Sequence, residues 1–443
     1  MIKRIRILGY KSLRDVEVEL QCLTVLIGPN ASGKSNFLDA LHLLSRMVSP
    51  RTRSLGEAFE PPHRGKVIDA FTSIQPGTSE IRERSSTSFT IEADIELSKN
   101  VIQQIEDEIS AVTDAPDRQQ ATTGRIQHRF LRYRISVEFL PGQGILRVAD
   151  ESIEPLNQKG EVHQRSGSFL GLDVQRNKLR LRAERRGHPI LHDRYLDHTI
   201  LSRPHFAPHF PHVAALQLEF SRFQFIYLEP RERMRLERVM KEVDDIGPMG
   251  EDLGVFLHIL SLKYPQQVHA YVSALQAILP FRNIRTEINR MGEVELSLEA
   301  NDGTVVPART LSEGTPRLLR LLGLLALRGL PSAPACLVAV EEPEDGVHPG
   351  RIPHIAELLK SHSASGSTQV IITTHSPFLP DYLPLESLFY CRADDLSLTT
   401  ICRIDTTELF RSTASVRALT DEEDRGVGGR ISERLLRGDF NGY

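Results

Sequence analysis

The chain carries 443 residues, 40% of them hydrophobic and 25% charged, the balance of an ordinary soluble globular protein. Single cores stop growing near about 250 to 300 residues, so two lobes are expected. Lys+Arg 54 against Asp+Glu 58 leaves a net charge of −4, which excludes a globally basic nucleic-acid coat and confines any phosphate contact to local patches.

The four cysteines, Cys22, Cys336, Cys391 and Cys402, form no CxxC pair and no zinc-type spacing with histidine, so a reduced compartment without disulfides is expected. The first residues alternate apolar side chains with Lys3, Arg4 and Arg6 and lead into no apolar run of signal-peptide length. The longest apolar stretch, residues 321–327, falls far short of the roughly 20 residues that span a bilayer. A soluble, cytoplasmic protein with no membrane partner is the expectation.

Residues 2–8 and 16–20 alternate apolar and polar, and residues 23–27 are apolar throughout, which predicts two half-buried strands and then a buried one. Phe37, Leu38, Leu41, Leu44 and Val48 recur at helical spacing from Lys34 onward, so the order is strand, glycine-rich turn, helix. In the more variable middle, strands are predicted at 88–97, 133–139 and 224–228. A short helix after Ser98 carries Val101, Ile102, Ile105 and Ile109, and the polar stretch 113–124 reads as a mobile loop. No heptad pattern persists over several turns and no solenoid period appears, so neither coiled-coil arms nor repeats are expected.

The last third returns to α/β punctuation: a helix over 316–328, a strand at 337–340, a helix over 352–359 and a strand at 369–373. Residues 1–50 and 301–405 therefore read as the two halves of one sheet-based domain. Residues 51–300 form an inserted lobe that partly completes the sheet, and 406–443 a tail. Asp421, Glu422, Glu423 and Asp424, set beside glycines, make that tail the part most prone to fray.

Four motifs carry chemistry. Gly28-Pro29-Asn30-Ala31-Ser32-Gly33-Lys34-Ser35 fits G-x-x-x-x-G-K-[ST], the phosphate loop. Its glycines let backbone N–H groups turn inward around phosphates, the helix start adds partial positive charge, Lys34 reaches the terminal phosphates and Ser35 holds Mg²⁺. Average composition generates this pattern in a chain of this length about once in a hundred. Its place after an apolar strand and before a helix narrows that further.

The apolar residues 336–340 deliver Glu341, Glu342 and, after Pro343, Glu344 to a strand's carboxyl end, where α/β sites assemble. Glu341 can bind Mg²⁺ through water, and Glu342 can polarise an attacking water as general base. His375, in Thr374-His375-Ser376-Pro377, stands at the end of another apolar run and can donate to the γ-phosphate or orient the water. In Leu311-Ser312-Glu313-Gly314-Thr315-Pro316, Thr315 suits a helix cap and Pro316 a first turn. Ser312 and Gly314 then leave hydroxyl and N–H groups outward, which makes a second anion-binding helix start beside the plainer reading of a capped helix.

In order, residues 28–35, 311–315, 340–343 and 374–377 resemble the Walker A, signature, Walker B and switch-histidine motifs of ABC-type ATPases. With Tyr10-Lys11-Ser12-Leu13 and the strand at 23–27, the chain is similar to the SMC/RecF/OLD-like branch, and to bacterial AAA-type ATPases of about this length. The likeness extends through residues 228–235 and 246–253 to 437–440. It implies a P-loop NTPase fold, an ABC-type ATPase head with a large mixed α+β insertion between Walker A and signature. It also implies ATP and Mg²⁺ as cofactors, and a homodimer in which Ser312 and Gly314 of one copy act on the nucleotide held by the other. Three departures stand out: Glu341 replaces the commoner Asp, the signature is Leu-Ser-Glu-Gly-Thr, and no glutamine-loop residue is assigned.

The histidines 188, 192, 198, 205, 209 and 212 cluster in sequence, but Pro204, Pro208 and Pro211 disfavour the helix that a His205/His209 metal site would want. Arg176, Lys178, Arg180, Arg182, Arg185 and Arg186, and separately Arg231, Arg233 and Arg235, could track a nucleic-acid backbone, although such runs are more often a solvated face. The leading expectation is an ATP-driven dimeric clamp coupled to DNA or a partner protein, in DNA repair or anti-phage defence. The alternative is a slow ATP-gated sensor or scaffold that controls a separately encoded effector. The 68 residues after His375 are too few for the nuclease domain of OLD-like enzymes, so no nuclease is expected.

Overall fold

The computed structural model describes residues 1–72, 85–113, 126–163, 166–184, 188–226, 237–243, 246–247, 250–311, 314–326, 336–364, 366, 368–407 and 431–438. The chain divides into two compact units, one of residues 1–21, 29–223 and 391–402, the other of 22–28, 224–390 and 403–443.

The first unit is built on an eight-stranded antiparallel sheet. Its strands are β1 (Ile2–Tyr10) and β2 (Leu13–Glu19), then, after β3 (Leu23–Ile27) of the second unit, β4 (Thr87–Glu96), β5 (Phe130–Leu140), β6 (Ile145–Leu156), β7 (Leu170–Asp173), β8 (Lys178–Leu181) and β9 (Ile190–His192). They lie in the order β2-β1-β4-β5-β6-β7-β8-β9. One face is apolar: Ile5, Ile7, Ile91, Ala93, Leu131, Tyr133 and Ile135 are fully buried. The other is charged, and its charges alternate from strand to strand. Glu19 pairs with Arg4, Arg4 with Asp94, Asp94 with Arg132 and Arg132 with Glu154, while the next row runs Glu17, Arg6, Glu92, Arg134. Arg4 reaches Asp94 at 2.9 Å and Arg132 reaches it at 2.6 Å. Each such cross-strand pair contributes about 0.2–1 kcal/mol. A one-residue slip would turn every arginine into the core, so the pattern also sets the register.

Among the described residues, this unit holds four α-helices: α1 (Lys34–Met47), α2 (Leu55–Ala58), α3 (Lys99–Thr113) and α4 (Pro211–Ser221). Phe37, Ala40, Leu41, Leu43 and Leu44 bury one broad face of α1. No helix forms over His205 and His209, in keeping with the prolines there, and α4 begins only at Pro211. Pro211 is its first residue, where the missing N–H would have had no partner and the fixed φ suits a helix start.

In the second unit, β3 lies between β16 (Gln369–Thr374) and β17 (Leu388–Ala393), with β15 (Leu337–Glu341) beyond β16. The pairings β15–β16, β16–β3 and β3–β17 are parallel. All five residues of β3 and all six of β16 are buried, as befits central strands of a parallel sheet. Among the elements between them in the chain are β10 (Phe223–Ile226), β11 (Arg238–Val239), α5 (Leu253–Lys263), α6 (Pro265–Ile278), β12 (Phe281–Ile288), β13 (Glu293–Ala300), β14 (Val305–Pro307), α7 (Gly314–Ala326) and α8 (Ile352–Ala364). The strands β11, β13, β12 and β14 make a small antiparallel sheet against which α5 and α6 pack. The predicted strand at 224–228 is β10, its last two positions lying outside the described residues, as does most of the predicted mobile loop at 113–124. No described helix is long and apolar enough to cross a membrane.

Two imidazoles, His42 within α1 and His63, are expected to make the first unit acid-sensitive. Burial, with Lys11 and Arg46 nearby, pushes His63 down to about 4, and burial, with Arg46 and His63, pushes His42 down to about 3. The unfolded chain takes up these protons near the ordinary value of about 6.5, and the folded chain only far below it, so stability falls as pH drops from 6.5 toward 4. His63→Gln, which keeps a polar partner for the Tyr10 hydroxyl 3.0 Å from the His63 ring, is expected to flatten this slope. Thermal midpoints of both proteins followed across this range check it. Parallel curves would exclude His63 as a source of the acid sensitivity.

Candidate functional site

The strand β3 ends at Ile27 and Gly28 opens the phosphate loop. Ala31 and Gly33 have φ of +61° and +94°, and Ser32 N–H donates to the Pro29 carbonyl at 3.3 Å, so the loop folds back on itself before the helix starts. Left-handed residues alternating with ordinary ones direct successive N–H groups to one side, the geometry of an anion nest. Pro29, Asn30 and Ala31 are exposed, whereas Gly28, Ser32, Gly33 and Lys34 are buried and Ser35 half-buried. The Lys34 ammonium is held over the loop by the Pro29 carbonyl at 2.8 Å. Lys34 and Ser35 are the first two residues of α1, so the hydroxyl and N–H of Ser35 lie at the positive end of the helix.

In the second unit, Glu341 pairs with Thr373, Thr373 with Leu26, and Thr374 with Ile27. The carboxyl ends of β15, β16 and β3 are therefore level, and Glu342, His375 and Gly28 leave the sheet from one edge. Glu342 N–H donates to the Thr373 carbonyl at 2.9 Å. Its backbone is left-handed, φ +45°, an uncommon state for a non-glycine residue, and its carboxylate lies 3.0 Å from His375 Nδ1. Both side chains are partly open to solvent, at 37% for Glu342 and 46% for His375. The edge thus brings the predicted base and the predicted histidine together. The oxygen donors of Glu341 and of the Ser35 hydroxyl are the hard ligands that Mg²⁺ takes, usually one or two from protein with phosphate and water completing the shell.

Sequence reasoning assigned no role to Glu344, which is 6% exposed. Thr374 Oγ1 donates to its Oε1, Ser376 N–H donates to the same hydroxyl at 3.0 Å, and Oε2 is buried without a partner. Burial pushes this carboxyl up, and the Thr374 bond opposes the shift. The only signal for it was its place two residues after Glu342, since the partner Thr374 is thirty residues away.

Ser312 lies outside the described residues. The helix α7 starts at Gly314, one residue before the predicted cap Thr315, and Pro316 falls in its first turn. A side chain at Gly314 would come within 2.1 Å of the Gly346 carbonyl, so the helix start presses on the turn after Glu342. Arg317 reinforces that contact by donating to the Asp345 carbonyl at 3.2 Å and to its carboxylate. Of the likeness at 246–253, Gly247 accepts from the buried Arg320 of α7 at 3.2 Å.

The histidine-rich segment is used for packing. His212 Nε2 accepts the backbone N–H groups of Gln127 and His128 at 3.1 and 3.0 Å, Nδ1 meets Glu184, and the ring stacks on Phe169 at 4.4 Å. His205 Nε2 is 2.9 Å from the Ile200 carbonyl. Among the described residues no group of three or more His, Cys, Asp or Glu could hold a metal ion. Of the basic run, Lys178 pairs with Asp193 at 3.0 Å and Arg182 lies over Phe169 at 4.9 Å. Arg185, Arg186, Arg231, Arg233 and Arg235 lie outside the described residues.

Residues 23–381 match the family described as an AAA domain, putative AbiEii toxin, Type IV TA system. An OLD nuclease from Thermus scotoductus is 22% identical over 406 residues, which cover 89% of this chain and 62% of that protein. Two solved structures share the fold. The SmcHead bound to the C-winged helix domain of ScpA superposes with a TM-score of 0.54 at 12% identity, covering 90% of this chain and 97% of that one. The Smc head domain with an extended coiled coil, bound to the C-terminal domain of ScpA derived from Pyrococcus furiosus, gives 0.54 at 11% identity, with 94% and 99% covered. A match over most of its length makes the chain a member of this AAA-domain family, and its fold is that of an ABC-type P-loop ATPase head of the SMC/RecF/OLD kind.

Proposed function

We propose that the protein binds and hydrolyses ATP, that two copies close around two nucleotides, and that closure is coupled to DNA or a partner protein in cytoplasmic repair or anti-phage defence. One observation carries the reading: Glu342 and His375, 3.0 Å apart, leave the same sheet edge as the first residue of the phosphate loop. In this reading the loop N–H groups and Lys34 hold the triphosphate. His375 orients one oxygen of the Glu342 carboxylate, and the other takes the proton of the attacking water. Ser35 and Glu341 would hold Mg²⁺, which when bound neutralises charge on the β- and γ-phosphates. Ser312 and the N–H groups at the start of α7 would serve the nucleotide of the second copy.

The exchange of Lys34→Ala is expected to abolish ATP binding. Glu342→Gln is expected to keep binding within a few-fold while hydrolysis falls by about 10²–10⁴ and an ATP-dependent dimer accumulates in light scattering. Equal hydrolysis in Glu342→Gln and wild type would remove the base assignment. Action in trans is checked by mixing Ser312→Arg with Lys34→Ala: turnover absent from each alone should return in the mixture, and its failure to do so would place Ser312 outside the partner's site. Turnover measured with and without DNA separates the clamp from the sensor, because slow hydrolysis indifferent to nucleic acid is the behaviour of the sensor.

A further inference from the structure

Gly33 is a glycine for two separate reasons. Its φ of +94° is one. The other is that a side chain there would lie 1.8 Å from Thr399 Oγ1, so the Thr399 hydroxyl already occupies the space. Thr399, in β18 (Thr399–Arg403), is 5% exposed, and its position is set twice over. Its N–H donates to the Ser12 carbonyl at 2.9 Å, and its Oγ1 is 2.6 Å from Ser12 Oγ. Ser12 Oγ also accepts from Asn36 Nδ2 at 2.7 Å, and Asn36 is the third residue of α1. One residue earlier, Lys11 donates to the buried Asp39 of the same helix at 2.8 Å. The turn at Lys11 and Ser12 thus grips the first turns of α1 from one side, and Thr399 fills the space over Gly33, all within the first unit.

We propose that Thr399 is a positioning residue of the phosphate loop: its hydroxyl, bonded to Ser12 and seated where a Gly33 side chain would be, fixes the peptide that leads from the loop into α1 and so sets nucleotide affinity. This rests on the reading that the loop holds a nucleotide. The bond is made within the protein and not to the ligand, so its loss costs affinity by loosening the donors and not by removing one. A buried neutral hydrogen bond lost without its volume predicts a weakening of about fivefold.

The test is binding of a fluorescent ATP analogue with Mg²⁺ to the full chain, with thermal midpoints of the ligand-free variants measured alongside. Thr399→Val, which keeps the shape and loses the hydroxyl, should bind about fivefold more weakly. Thr399→Ser should recover most of that affinity, because the hydroxyl returns. Ser12→Ala, which removes the Asn36 bond as well, should weaken binding at least as much, and the double variant Ser12→Ala/Thr399→Val no further than Ser12→Ala alone, since the bond between the two hydroxyls is already lost. Should Thr399→Val fail to fold, Ser12→Ala and Thr399→Ser carry the same comparison. Wild-type affinity in Thr399→Val or Ser12→Ala, beside lost binding in Lys34→Ala, would overturn the proposal alone. Weaker binding in Thr399→Ser than in Thr399→Val would overturn it too, since the volume and not the hydroxyl would then matter. Wild-type affinity in Lys34→Ala would instead overturn the nucleotide reading and this inference together.

Discussion

The site depends first on the register of three parallel strands. Because β15, β16 and β3 advance in step, Glu341, Thr373 and Leu26 share one level, and the next residues of each strand leave together. These strands are buried along nearly their whole length, so no alternation of apolar and polar residues marks which way they are aligned. Backbone bonds at the strand ends do so instead. Gln369 N–H reaches the Cys336 carbonyl and Val370 N–H the Cys22 carbonyl at the entering side, while Glu342 N–H reaches Thr373 at the leaving side. A slip of one residue would break these closures and send Glu342 to the opposite face.

The sheet of the first unit solves the same problem by the opposite means. Its register is written in side chains, apolar on one face and in alternating rows of charge on the other. Arg4 of β1 and Arg132 of β5 are thereby committed to Glu92 and Asp94, Arg6 to Asp15 and Glu17 and Arg134 to Asp150, and those pairs leave little uncompensated positive charge to attract a phosphate backbone. A nucleic-acid surface, if the clamp reading holds, has to be sought away from these rows.

What was legible in the sequence follows from the range of the interactions involved. The run of β3 is reproduced residue for residue, and α1 and β16 nearly so, because a glycine-rich turn after an apolar strand and before a helical stripe is a local signal. Glu342 and His375 stand out in sequence for a different local reason, each being placed at the carboxyl end of an apolar run. The helix α4 is buried nearly all round, so no apolar stripe at helical spacing marks it. The strands β7–β9 and β11 are two to four residues long, too short for any period to show. Thr399 had no signal at all: a threonine in a short strand looks like many others, and its meaning arises only from Gly33 and Ser12.

The acidic turn after β15 shows how a strained residue is kept in place. Glu342 sits at a φ that costs a non-glycine side chain of order 1 kcal/mol, and such a conformation persists only where its surroundings over-determine it. Three partners do that here, one for each carboxylate. His375 faces Glu342, Thr374 donates to Glu344, and Arg317 holds Asp345. Two of these partners are consecutive residues on β16 and its exit, and the third belongs to α7, whose start rests on Gly346. The turn is thus pinned both to the strand that supplies the histidine and to the helix that begins at the signature. A shift of α7 along Gly346 would reach Glu342 through four residues of chain, whereas Glu344, buried and tied to Thr374, would resist it. The same short turn therefore holds one carboxylate at the solvent-facing edge and uses the other two to keep it there.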